Sequence, residues 1–114
     1  MQLLIYITNQ KDMIPPIIKK MAEKDIHGAT SVDCEGMLQS LYGDQIEPPP
    51  IFSSLRRFVN PDHELGKMLF LVVDEESLKE AKTCIHEVCG DLDTPNSGIL
   101  FTIPVLEVEG VTVK

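Results

Sequence analysis

Lys67-Met68-Leu69-Phe70-Leu71-Val72-Val73-Asp74-Glu75-Glu76-Ser77-Leu78 is the stretch on which the reading of this chain turns. Its first seven residues are nearly all apolar, as in a strand covered on both faces. Asp74 follows at once, and its short carboxylate suits the orphan N–H groups of a helix start. Leu78, Ala81, Ile85 and Val88 then recur at helical spacing, and Gly90 supplies a stop. A polar loop from Asp91 to Ser97 leads to a last strand over residues 98–105. Pro104 has no N–H for a ladder, so this strand is predicted to lie at an edge or to end there. Residues 106–114 alternate and predict a short extra C-terminal strand.

The first half of the chain repeats this order. Leu3-Leu4-Ile5-Tyr6-Ile7-Thr8 reads as a strand and residues 9–12 as a turn. Ile14, Ile17, Ile18, Met21 and Ala22 make one apolar stripe of a helix. Pro15 and Pro16 are tolerated because they fall in its first turn. Ile26-His27-Gly28 should close it, with Gly28 making the turn, and residues 29–36 form a second strand. Two β-α-β halves in one chain of 114 residues predict an α+β fold, the ferredoxin-like split βαβ sandwich (β-α-β-β-α-β), as a single domain over residues 1–114. Strands 1 and 3 would be the inner pair. Helices cover only one face of such a sheet, so the other needs further copies of the chain, arranged as a closed ring.

Between the halves, residues 37–66 form a stretch of about thirty residues without sustained period, far longer than an ordinary connection. It holds Pro48, Pro49 and Pro50, then Phe52, Leu55, Arg56, Arg57 and Phe58. Phe52, Leu55 and Phe58 have helical spacing, so a short helix is expected there. Arginines among aromatic residues on a projecting loop have the composition of a protein-contact site, and equally of a segment that folds back to pack on its own assembly.

Composition excludes several functions. Net charge is −8, which repels nucleic-acid backbones and anionic lipid. Aromatic residues make up 5%, too few for a base-stacking platform. No apolar run reaches the length of a membrane span, and the N-terminal stretch lacks a signal peptide's basic start and cleavage site. A soluble, cytoplasmic protein is expected. Cys34, Cys84 and Cys89 make no CxxC pair, and a disulfide framework is not expected. Cys84 and His86 point about 200° apart on a helix and cannot easily share an ion. His27 and His63 show no metal-ligand spacing. Asp33 and Glu35 lie on one strand face; a carboxylate pair there could do acid–base work or bind a divalent ion, but a solvated strand face is the favoured reading. No Gx4GK[ST], GxSxG, HExxH or GxGxxG motif occurs, and no nucleophile has a base nearby in sequence, so no enzymatic activity is expected.

The element order, with Ile26-His27-Gly28-Ala29-Thr30, Glu35-Gly36, Asp74-Glu75-Glu76 and Gly98-Ile99-Leu100-Phe101-Thr102-Ile103-Pro104-Val105, resembles the P-II nitrogen regulatory family. The resemblance covers most of the chain. It implies a homotrimer that binds a small-molecule effector, an adenine nucleotide in that family, in clefts between subunits. It further implies that residues 37–66 contact a protein target: a transporter, enzyme or regulator. Thr30, Gly36 and Met37 would border the base and loop-root side of the cleft, and Ser97 and Gly98 the phosphate end. A glycine there permits an anion nest and close approach of a phosphate. The chain departs from the family in having Ile99 in place of a lysine, Gly36-Met37-Leu38 at the loop root, and no cationic side chain after Lys82 except Lys114. Charge-assisted contacts to a triphosphate would therefore be few. The divalent-cation tolerance proteins share this fold and give the alternative, a metal-binding trimer.

Overall fold

The computed structural model describes residues 1–37, 65–93 and 98–110. In chain order these hold β1 (Gln2–Thr8), a 3-10 turn (Lys11–Met13), α1 (Ile14–Glu23), β2 (Thr30–Cys34), β3 (Gly66–Val73), α2 (Glu75–Cys89) and β4 (Ile99–Pro104). The four strands form one antiparallel sheet in the order β2-β3-β1-β4. The two apolar strands are the inner pair, as their composition predicts, and β4 is an edge that ends at its proline. Among the described residues, no helix is long and apolar enough to cross a membrane.

Both helices lie on one face of this sheet. Leu4 and Tyr6 of β1 and Leu69, Leu71 and Val73 of β3 point into them and are buried. Ile14, Ile17 and Met21 of α1 and Ala81, Cys84 and Ile85 of α2 complete the core. Each such aliphatic side chain contributes roughly 1.5–3 kcal/mol when removed from water. The apolar stripe of α1 is narrower than its sequence suggests, since Ile18 and Ala22 are exposed.

Local chemistry sets the helix ends. The Asp74 carboxylate accepts a hydrogen bond from the Ser77 N–H at 2.7 Å, capping α2. Gly90, at φ +74°, closes α2 and donates its N–H to the His86 carbonyl.

At the end of α1 the outcome differs from the sequence reading. Asp25, not Gly28, takes the left-handed conformation, at φ +65°. The Asp25 N–H donates to the Ala22 carbonyl and the Ile26 N–H to that of Met21, which is the Schellman arrangement. Ile26 packs back onto the core, where it is 3% exposed, and that contact places the left-handed residue at Asp25, three positions before Gly28. An Asp25→Gly substitution should therefore stabilise the fold by about 0.5–1 kcal/mol, read as a higher urea midpoint, because glycine takes this conformation without steric cost. The hydrogen bond it removes, Asp25 Oδ1 to His27 Nε2 at 2.7 Å, is well exposed and contributes little.

The extra C-terminal strand is not found over residues 106–110, which have no strand pairing, and residues 111–114 lie outside the described set. Alternation alone does not make a strand when no sheet edge receives it. The long inter-half stretch also ends slightly earlier than residue 66. Gly66 already belongs to β3, where it pairs with Cys34.

The sheet's second face is apolar and has no layer over it among the described residues. The ladder aligns three rungs there: Val72, Leu3 and Ile103; Phe70, Ile5 and Phe101; Val32, Met68, Ile7 and Ile99. Inner-strand members are half-buried by their neighbours. At the edges Ile99 is 57% exposed, Ile103 44%, and Phe101 and Val32 38% each. An apolar surface this continuous is characteristic of an interaction site.

Candidate functional site

Thr30 opens β2 and pairs with Phe70, which puts its side chain on the uncovered face. Gly36 follows the end of β2, and Met37 beside it is 72% exposed. No atom lies within 4 Å of where a Gly36 Cβ would stand, so nothing in the described fold requires glycine there. Gly98 is different. It has φ +105°, and a Cβ there would stand 2.5 Å from the Ile7 carbonyl oxygen and 2.9 Å from the Tyr6 ring. The sequence offers an anion nest as the reason for this glycine, whereas the structure shows an intramolecular reason, close approach of β4 to β1. Ser97 lies outside the described residues, as do Phe52, Leu55, Arg56, Arg57, Phe58 and His63.

Of the described residues, Thr30, Gly36 and Met37 stand on the β2 side and Gly98 on the β4 side. β2 and β4 are opposite edges of the sheet, three strand spacings or about 14 Å apart. Yet Gly36 and Gly98 share one end of it. Cys34 pairs with Gly66 beside the end of β1, and Ile99 pairs with Ile7.

Beneath Gly98, the Tyr6 hydroxyl and Cys89 Sγ form a 3.2 Å hydrogen bond. Burial, followed by this bond, pushes the Tyr6 phenol well above its usual range, so it stays protonated. Burial likewise raises the Cys34 and Cys84 thiols, whose thiolates are disfavoured as nucleophiles. All three cysteines are free thiols.

Asp33 is engaged by a lysine rather than left beside Glu35 alone. Asp33 Oδ1 is 2.6 Å from Lys67 Nζ, and that contact holds its carboxyl below the ordinary range. Among the described residues, no three His, Cys, Asp or Glu side chains could hold an ion together. Cys84 is buried, while His86 is exposed with Nδ1 3.1 Å from the Gly90 carbonyl oxygen, so the two point apart as helical geometry predicts.

A feature the sequence reading missed lies beside α1. An open groove of about 610 Å³ runs between α1 and the β2 edge, lined by Lys11, Asp12, Ile14, Pro15, Ile18, Lys19, Ser31 and Lys67. Its helix-side residues 11, 14, 15, 18 and 19 recur at i, i+3, i+4, i+7 and i+8. That period was visible in the sequence, but it shares Ile14 with the buried stripe and is turned about 90° from it, toward residues whose charges read as an ordinary solvated face.

In comparison with known proteins, this chain matches no family model and no curated protein.

Proposed function

We propose that this chain is a non-enzymatic regulatory protein of the P-II type. Its fold is read as the ferredoxin-like split βαβ sandwich, which the sheet order β2-β3-β1-β4 and the placement of both helices on one face support. Three copies associate through the uncovered sheet face into a homotrimer. A small-molecule effector, for which adenine nucleotides are the first candidates, binds in the clefts between copies. The segment at residues 37–66 then engages or releases a protein target, a transporter, enzyme or regulator, in the cytoplasm.

One observation carries this reading: Gly36 and Gly98 stand at the same end of the sheet on opposite edges. In a closed ring the β4 edge of one copy would lie beside the β2 edge of the next, so a ligand bound between them would report on the loop root and the subunit contact at once. Regulation follows by linkage. The ligand shifts the 37–66 segment by the difference in its affinity for that segment's two states.

Calorimetry with ATP, ADP, AMP and cyclic dinucleotides tests the sensing half. Saturable heat from one of them, reduced by Gly36→Val at the unpacked loop root, is the expected result. Absence of heat from all of them at millimolar concentration removes the ligand from the proposal.

A further inference from the structure

The groove beside α1 is the feature that the proposed function leaves unused. Its floor is apolar, from Ile14, Pro15 and Ile18, and its rim carries Lys11, Lys19 and Lys67. Asp12 also lines it, and Asp33 pairs with Lys67, so two carboxylates stand against three ammonium groups. The lining itself thus carries more ammonium than carboxylate groups on a chain whose net charge is −8. Its occupant should be extended, alternately apolar and acidic.

The described residues include one segment with that pattern. Leu106-Glu107-Val108-Glu109 leaves the end of β4 without strand pairing, with Leu106 100% exposed and Val108 37%. In an extended chain Leu106 and Val108 point to one side and Glu107 and Glu109 to the other. The apolar side suits the groove floor. Long lysine side chains at the rim can lay their methylenes along it and turn their charge to the carboxylates.

The groove's own chain does not supply this segment. β4 is the edge opposite β2, and α1 and α2, each about 10 Å across, lie between. Glu109 is five residues beyond Pro104, a reach of at most about 18 Å. We therefore infer that residues 106–110 of one copy dock into the α1–β2 groove of a neighbouring copy, with Glu107 and Glu109 against Lys11 and Lys19. This rests on the self-association proposed above but uses a different surface from the open sheet face.

The test is carboxylate-to-amine crosslinking with a zero-length carbodiimide. Unlabelled and 15N-labelled full-length chains are unfolded and refolded as a mixture, sized by light scattering and analysed by mass spectrometry. The expected result is crosslinks from Glu107 or Glu109 to Lys11 or Lys19, about half of them joining chains of unlike label, as random mixing in a symmetric ring requires. The Glu107→Gln/Glu109→Gln variant should lose them while remaining an oligomer. Crosslinks confined to chains of like label mean that the segment folds onto its own body, and the inference fails. An oligomer without these crosslinks also overturns it, leaving self-association intact. A lone chain at every concentration overturns both.

Discussion

A glutamate in place of Phe101 is expected to take the proposed homotrimer apart without unfolding its chains. Phe101 sits on the middle rung of the uncovered sheet face, paired with Ile5, and is 38% exposed in the single chain. It lies away from the helix-covered core, so the substitution removes little that holds one copy together. In an assembly that closes this face the same position becomes buried. An unpaired carboxylate would lose its hydration there with no cation among the rungs to receive it, at a cost of about 3–5 kcal/mol. Association should weaken by at least about a hundredfold per copy. Sedimentation equilibrium of parent and variant reads this directly, and circular dichroism checks that the variant stays folded. A parent chain that sediments alone at high micromolar concentration would refute the covered-face account.

The second large effect is expected at Gly98. An alanine there places a methyl group against the Ile7 carbonyl oxygen at 2.5 Å and the Tyr6 ring at 2.9 Å, on a backbone at φ +105°. The strained backbone and the forced shift of β4 from β1 together should cost about 3–5 kcal/mol. Tyr6 cannot swing aside cheaply, because it is fully buried and its hydroxyl is held by Cys89. Urea denaturation in the absence of any ligand should show the loss. Backbone strain alone would account for about 1–3 kcal/mol of that loss, and the remainder reports the close approach of β4 to Ile7 and Tyr6.

These two positions also show how far a sequence can be read. The inner strands were legible because Leu3 to Ile7 and Lys67 to Val73 have almost no polar side chains, and an inner strand in a two-layer fold is where such runs belong. The start of α2 was legible because capping is local: Asp74 and Ser77 are three residues apart. The turn after α1 was misassigned for a non-local reason. Burial of Ile26 against the sheet outweighs the intrinsic ease of a left-handed Gly28. The terminal alternation was read as a strand because periodicity does not reveal whether an edge is available. At the candidate site, Gly98 was singled out, but its tight packing depends on the β1–β4 register, which no short motif encodes.

The pairing of Cys34 with Gly66 has a consequence for how the chain could have diverged. Everything between those two residues departs from and returns to neighbouring points on one ladder, and Gly66 is wedged so close to the Thr8 carbonyl, 2.6 Å from where its Cβ would be, that the return point is pinned. Closing a span of chain between fixed points costs only about 0.6 kcal/mol more each time its length doubles. As far as chain closure goes, changes of length in that interval would therefore burden the platform very little. One body could carry many different inserts, and specificity could be exchanged by grafting at a single joint.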